Sequence, residues 1–93
     1  MENVKRKIIS FWLRRFFLRK IAKRYPDFFK RLVCDTTDSR LERKVVLFRY
    51  YGDEEDKEIM PLKFPAIAIK LNTVERNVHI YHQRFIDRLI SGI

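Results

Sequence analysis

Two histidines near the C-terminus, His79 and His82, are separated by two residues, a spacing that suits a shared metal ion only on a helix. They fall at the end of a segment that we predict to be a strand, where successive side chains alternate between the two faces. No cysteine or third histidine stands nearby in the sequence to complete a tetrahedral site. We therefore expect ordinary strand-end residues, no metal site and no cofactor.

A second pattern matches, in its letters alone, the PD...ExK motif with which many nucleases hold a metal ion: Pro26-Asp27 and, further along, Glu55-Asp56-Lys57. That chemistry needs both acids on adjoining strands, so that one Mg²⁺ contacts the two carboxylates. Asp27 instead stands at a predicted helix start, where a carboxylate interacts favourably with the exposed N–H groups. Glu55 falls in a predicted loop. Since the sequence offers no recognisable nucleophile or base, we expect a protein without catalytic activity.

The third pattern is a basic, aromatic stretch near the N-terminus, FWLRRFFLRK at residues 11–20. Residues 3–24 contain nine lysines and arginines and no acid, so no ion pair between residues four apart neutralises any of them. Such self-repulsion destabilises a helix, which indicates that the cations are retained for an external anion. Phosphates bound by such cations release counterions, and this gives salt-dependent binding without base recognition. The cations predicted to contact nucleic acid are Arg14, Arg15, Arg19, Lys20, Lys23, Arg24, Arg31, Arg43 and Lys44.

The charge of the whole chain favours the same partner. Its 93 residues include 21 Lys+Arg and 12 Asp+Glu, a net charge of +9 at pH 7, which is typical of proteins that bind nucleic acid, anionic lipid or an acidic protein. Residues 1–50 hold 15 of the cations and 5 of the acids. We expect RNA rather than DNA, bound within a ribonucleoprotein or another larger assembly. Three tyrosines would stack on bases if they were exposed: Tyr50, Tyr51 and Tyr81.

The same stretch allows two other interpretations. In a membrane-surface or protein-assembly factor, four aromatic side chains would lie below the headgroups while the arginines meet anionic lipid. These are Phe11, Trp12, Phe16 and Phe17. That role requires the aromatics to be exposed without lipid, whereas a chain this small needs them for its core, so we expect them to be buried. A mitochondrial targeting segment is also Arg-rich, but it is rich in serine, and residues 1–24 contain only Ser10.

The elements that must position these residues follow from periodicity. Apolar residues in 9–17 recur at helical spacing, and Pro26, which costs about 3 kcal/mol inside a straight helix, marks a kink or a second start. The stretch 45–51, VVLFRYY, is β-branched and aromatic, and 66–71 alternates between apolar and small or polar residues; both patterns predict strands. The predicted order is a helical segment at 3–33, a connector at 35–43, a β-rich segment at 44–82 (three or four antiparallel strands, at 45–51, 59–64, 66–71 and 78–81), and a C-terminal helix at 83–91.

We therefore predict a single α+β domain at 1–93, with its helices on one face of the sheet. Its order of helix, strands and helix is similar to that of double-stranded-RNA-binding domains. The Lys-Lys pair of those domains has no counterpart at 83–85, however, and the turn at 72–77 lacks glycine. The similarity is one of predicted topology and assigns no family.

Cysteine usage and hydropathy bear on location. Cys34 is the only cysteine, so no internal disulfide forms, which favours an intracellular setting, cytoplasmic, nuclear or organellar, over secretion. No apolar run approaches the roughly 18 residues of a membrane-spanning helix, because Arg14 and Arg15 interrupt the longest candidate. We expect no transmembrane segment.

Overall fold

Helices are the only regular elements in residues 2–92. The computed structural model describes the backbone of residues 2–92 and the side chains of residues 4–92. The elements are α1 (Glu2–Trp12), a π-helical turn (Leu13–Phe17), α2 (Leu18–Arg24), α3 (Pro26–Thr36), α4 (Arg40–Tyr50), α5 (Phe64–Lys70) and α6 (Glu75–Ser91). The predicted α+β fold, with its three- to four-stranded antiparallel sheet, is therefore wrong, because this part of the chain contains no strand.

The first three elements form one continuous helical rod that is widened at its centre. The Leu18 N–H donates to the Leu13 carbonyl, five residues back rather than four, which defines the π-helical turn. The wider turn changes the angular spacing of the side chains, so the apolar face predicted for 9–17 is divided. Leu13 is buried in the core, whereas Trp12 and Phe16 are exposed.

Two helix boundaries arise from ordinary local signals. Tyr25 leaves helical geometry (φ −131°, ψ 64°) and Pro26 begins α3, as predicted, because proline lacks only an N–H that a first residue does not use. Ser39 caps α4: its Oγ accepts a hydrogen bond from the Glu42 N–H at 3.1 Å, in the S-x-x-E arrangement of a capping box. The connector predicted at 35–43 is therefore reduced to residues 37–39.

The β-rich segment predicted at 44–82 is helical or irregular throughout. Residues 45–50 lie in α4, 66–70 in α5 and 78–81 in α6, while the segment before Phe64 is irregular. The helix predicted at 83–91 is only the second half of α6, which begins at Glu75. It ends at Ser91, and the N–H of the following Gly92 donates to the carbonyls of Arg88 and Leu89 at 3.1 and 3.2 Å.

Burial in these segments follows a helical period. The buried residues are Glu42, Val45, Val46 and Tyr50 in α4, and Val78, His82, Phe85 and Ile86 in α6. In α5, Ile67 is fully buried and Ile69 is 80% exposed, although an alternating strand would have placed them on one face. Tertiary packing on α4, α5 and α6 outweighs propensity differences that are below about 1 kcal/mol per residue.

Two apolar clusters hold the helices together. The larger joins the rod with α3, α4 and α6; its buried members are Leu13, Leu18, Ile21, Ala22, Phe29, Val33, Val46, Tyr50, Phe85 and Ile86. The smaller joins α4, α5 and α6 through Val45, Ile67, Ala68 and Val78. Because α4 and α6 contribute to both clusters, their facing side chains form the centre of the fold. Arg88 of α6 also donates hydrogen bonds to Glu42 of α4 and, at 2.7 Å, to Asp38.

The acidic loop between α4 and α5 is tied to lysines of the same chain. Lys70 donates to Asp56 at 2.7 Å and to Asp53 at 3.1 Å, and Lys30 donates to Glu54. The hydrogen bonds to Asp56 and Asp53 raise the pKa of Lys70. Three acids of this loop, Asp53, Glu54 and Asp56, are therefore paired with lysines from α3 and α5.

Candidate nucleic-acid interface

The nine predicted cations lie on the rod, α3 and α4. They are Arg14 and Arg15 in the π-helical turn, Arg19, Lys20, Lys23 and Arg24 in α2, Arg31 in α3, and Arg43 and Lys44 in α4. All are exposed except Arg43, which is half-buried. Within residues 4–92, none of the nine forms an ion pair with Asp or Glu. The lysines and arginines that do so in this range are Arg6, Lys30, Lys70 and Arg88.

Three of the predicted cations meet a fourth that the sequence did not suggest. Arg14, Arg15 and Arg19 of the rod and Arg49 of α4 line one recess of about 160 Å³. The other residues that line it are Phe11, Tyr50, Phe64 and His82. We call this the arginine recess. No acid lines it, so it concentrates positive charge at one point of the surface.

Arg49 is held in place by two neutral contacts. Its Nη1 donates to the Leu62 carbonyl at 3.3 Å, and its guanidinium lies 4.2 Å from the centre of the Phe64 ring, a cation–π geometry. Burial lowers the pKa of Arg49, and the nearby charges of Arg19 and Arg14 lower it further. Even so, an arginine remains charged at neutral pH, so this guanidinium is a partly desolvated cation without an acidic partner.

The π-helical turn positions two of the rod arginines. Arg19 Nε donates to the Arg14 carbonyl at 3.2 Å, a bond across five residues. Arg14 Nε donates to the Ser10 carbonyl at 3.4 Å. Both guanidinium groups are thus folded along the rod, and their terminal Nη groups have no hydrogen-bond acceptor among the described residues. The positioned groups remain available to an external anion.

The floor of the recess is uncharged at neutral pH. The Tyr50 hydroxyl and His82 Nε2 are 2.6 Å apart and form a buried hydrogen bond. Burial lowers the pKa of His82 to about 3, with further lowering by Arg49 and Arg14, and burial raises the pKa of Tyr50. The four arginines therefore carry the only charges in the lining.

Further cations extend the recess along the surface. Arg14 and Phe11 also line a neighbouring cavity with Arg6, Lys7 and the acid Asp87. On the other side, Arg19 lines cavities with Lys23 and with Lys63. We call this set the basic face: Arg6, Lys7, Arg14, Arg15, Arg19, Lys23, Arg49 and Lys63.

The remaining predicted cations do not line the arginine recess. Lys20, Arg24 and Arg31 are exposed on α2 and α3. Arg43 has its Nε buried without a hydrogen-bond partner in the described part of the chain. Lys44 lines a separate cavity together with the acids Asp53, Glu54 and Glu55. Only Arg14, Arg15, Arg19 and Lys23 of the predicted set therefore belong to the basic face.

Exposed aromatics adjoin the recess, so the prediction of burial is wrong for Phe11, Trp12 and Phe16, whereas Phe17 is half-buried against the larger cluster. Phe11, Trp12 and Phe16 are 52%, 49% and 59% exposed, and Val4 and Ile8 continue the same outer side of the rod. Phe11 meets Phe16 edge to face at 6.2 Å between ring centres. We call these five residues the apolar ridge. Of the predicted stacking tyrosines, Tyr50 is buried, and Tyr51 and Tyr81 are half-buried.

The two histidines lie on α6 rather than on a strand, but they do not share a ligand site. His82 is buried and bonded to Tyr50, whereas His79 is exposed and lies 3.3 Å from Glu75. No group of three or more His, Cys, Asp or Glu side chains suited to a metal ion occurs among the described residues. Asp27 lies in the first turn of α3, and Glu55 lies in the loop after α4.

Neither the hydropathy of the helices nor comparison with known proteins indicates a function. None of the helices in residues 2–92 combines the length and the apolar character needed to cross a bilayer. Comparison with known proteins gives no match: no family model, no curated protein and no solved structure is significantly similar to this chain.

Proposed function

We propose that this protein binds single-stranded nucleic acid, RNA rather than DNA, through the basic face, and that it is a binding protein without a catalytic step. The observation that carries the proposal is the convergence of Arg14, Arg15, Arg19 and Arg49 on one recess without an acid. Four like charges held close together repel one another, so a bound polyanion would relieve an unfavourable interaction as well as form new ones.

Phosphate contacts supply the affinity in this proposal. Guanidinium groups bind phosphate oxygens through paired N–H donors, and each neutralised phosphate releases counterions. The basic face continues beyond the recess through Lys7, Lys23 and Lys63. A strand that follows these cations would bind with a strong dependence on salt and with little dependence on base sequence.

The apolar ridge supports a single-stranded ligand. Phe11 lines the arginine recess itself, so an exposed ring stands beside the phosphate-binding groups. Stacking of a base on an aromatic side chain contributes about 1–3 kcal/mol and requires a base that is not paired. RNA presents such bases in loops and at its ends, which is why we favour RNA.

A second function, binding to an anionic membrane surface, is favoured by the same exposed ridge. Val4, Ile8 and Trp12 lie on the outer side of α1, and Lys5 and Lys7 are exposed nearby. An amphipathic helix with aromatics and cations binds anionic headgroups by inserting its apolar face. In this function the ridge enters lipid, whereas in the first function it stacks on bases.

The emission of Trp12 separates the two functions, because Trp12 is the only tryptophan and is half exposed. The protein would be titrated with single-stranded RNA and with anionic vesicles, each at low and high salt. Base stacking is expected to quench Trp12 without a blue shift, and lipid insertion is expected to shift its emission to the blue. Absence of RNA binding at low salt, with vesicle binding present, would reject our first proposal in favour of the second.

A further inference from the structure

The arginine recess is too small for a nucleoside but suits a phosphate group. Its volume of about 160 Å³ is below the roughly 300–1,000 Å³ of ordinary small-molecule pockets. The residues that line it offer guanidinium groups, the Phe64 ring and the Tyr50–His82 pair, without a carboxylate. A compact anion therefore fits both its size and its chemistry.

The number of cations indicates a dianion. Four guanidinium groups line the recess, and its floor is uncharged because Tyr50 and His82 are both neutral at pH 7. A phosphodiester within a strand carries one negative charge, whereas a terminal phosphate carries about 1.5 to 2 at pH 7. A terminal phosphate is also attached through one ester only, so it can enter a small recess end-on while the rest of the strand remains outside.

Three of the four cations are held in place before any ligand binds. Arg49 is fixed by the Leu62 carbonyl and the Phe64 ring, and Arg14 and Arg19 are fixed through their Nε groups by backbone carbonyls. Each side chain keeps terminal N–H donors for the ligand. Binding to groups that are already ordered loses less conformational entropy, which is the property of a specific site rather than of a diffuse charged surface.

We infer that the arginine recess takes the terminal phosphate of an RNA strand, while the rest of the basic face holds the phosphodiesters that follow it. This inference rests on the proposed function and adds to it a preference for phosphorylated strand ends. Arg49 distinguishes the recess from the outer face, because it is the one arginine of the recess that α4 supplies.

The test compares single-stranded RNA oligonucleotides of one sequence that end in a 5′-phosphate, a 3′-phosphate or hydroxyl groups only. At one salt concentration, we expect one phosphorylated form to bind about tenfold more tightly than the hydroxyl form. Arg49→Gln should remove this preference, so that the phosphorylated and hydroxyl forms bind with equal affinity. Arg76→Gln, which removes the same charge from an exposed site on α6, should retain the preference. Arg15→Gln, whose side chain is exposed, replaces Arg49→Gln if that variant fails to fold.

The other outcomes contradict either the inference alone or the proposed function. Equal binding of phosphorylated and hydroxyl RNA overturns the inference and leaves the proposed function. Failure of all three oligonucleotides to bind at low salt overturns the proposed function itself. Vesicles that contain phosphatidic acid form the last arm, since that lipid also ends in a phosphate monoester. Arg49-dependent binding to these vesicles, without a preference among the RNAs, assigns the recess to a lipid headgroup and overturns the inference.

Discussion

The Tyr50 hydroxyl and His82 Nε2 lie 2.6 Å apart beneath the arginine recess, in the centre of the contact between α4 and α6. This pair keeps the floor of the recess polar and uncharged. It also ties the stability of the fold to the protonation state of one histidine, because burial lowers the pKa of His82 from its ordinary 6.5 to about 3.

Acidification should therefore destabilise the protein before its carboxylates titrate. Between pH 6.5 and 3, the unfolded chain binds a proton at His82 that the folded chain does not bind, so the free energy of unfolding falls as pH falls and is fully restored above about 6.5. From pH 8 to pH 5 we expect a loss of about 2 kcal/mol from this residue, measured by urea unfolding. His82→Gln should show a correspondingly smaller difference, whereas the exposed His79→Gln should behave like the wild type. The same pH dependence in all three proteins would contradict this assignment.

The salt dependence of RNA binding should report on the rod arginines. Replacing Arg14, Arg15 and Arg19 together with glutamine should lower the slope of log affinity against log salt by about 2, because each phosphate contact on a single strand contributes about 0.7. A control that replaces Arg40, Lys57 and Arg76 with glutamine removes the same net charge from exposed positions outside the recess. If both triple variants change the slope equally, net charge rather than the recess determines binding.

Because the apolar ridge is exposed, we expect it to contribute little to the stability of the fold. Phe11→Ala with Phe16→Ala should lower the free energy of unfolding by less than about 1.5 kcal/mol, because both rings are exposed and lose mainly their mutual edge contact. Phe29→Ala, which empties a fully buried site, should cost about 3–5 kcal/mol. Circular dichroism during urea unfolding gives both values. A loss in the double variant as large as that of Phe29→Ala would place the ridge in the core.

The sequence predicted the helical character of the N-terminal third and the break at Pro26, but it led to the wrong structure for the middle. In α4 the run of β-branched and aromatic residues indicated a strand, although the preceding S-x-x-E pattern of Ser39 and Glu42 is typical of a helix start, and Ser39 caps α4. Glu42, Val45 and Val46, which are buried in α4, also recur at helical spacing.

The candidate site was partly visible in the sequence. Uncompensated cations identified Arg14, Arg15 and Arg19, because charge and spacing along a helix require no tertiary information. Arg49 was missed because its place in the recess depends on how α4 packs against the rod. The exposure of Trp12 was also missed, because the π-helical turn shifts the apolar face by an amount that the periodicity of the sequence does not encode.

Replacing Gly52 with any other residue should destabilise the protein. Its φ is +123°, and a Cβ there would lie 2.5 Å from the Met60 carbonyl oxygen and 2.7 Å from the Met60 nitrogen. Because backbone atoms cannot move aside as a flexible side chain does, we expect Gly52→Ala to cost at least about 2 kcal/mol. Gly92→Ala is the matched control, since its nearest neighbour would be the Arg88 carbonyl oxygen at 3.5 Å, and it should change stability by less than about 0.5 kcal/mol. Thermal unfolding of the two variants measures these losses of stability, and similar losses in both would contradict the prediction.

Arg88 has one buried and one exposed acidic partner, and the two should differ in energy. It donates to Glu42, whose side chain is almost completely buried, and to the exposed Asp38. Burial raises the pKa of Glu42 and Arg88 opposes that shift, so the arginine stabilises a carboxylate that would otherwise resist ionisation. Arg88→Met should therefore cost about 3 kcal/mol or more at pH 7, the cost of leaving one buried charge without its partner.

Asp38→Asn is the control, because it removes only the exposed partner and should cost less than about 1 kcal/mol. Replacing Glu42 with leucine in the Arg88→Met background should recover much of the lost stability, since a well-packed apolar pair often replaces a buried ion pair without loss. Urea unfolding of the two single variants and the double variant completes the comparison. If Asp38→Asn is as damaging as Arg88→Met, or if the double variant is less stable than Arg88→Met alone, the connection between α4 and α6 depends on the exposed acid instead of on the burial of Glu42.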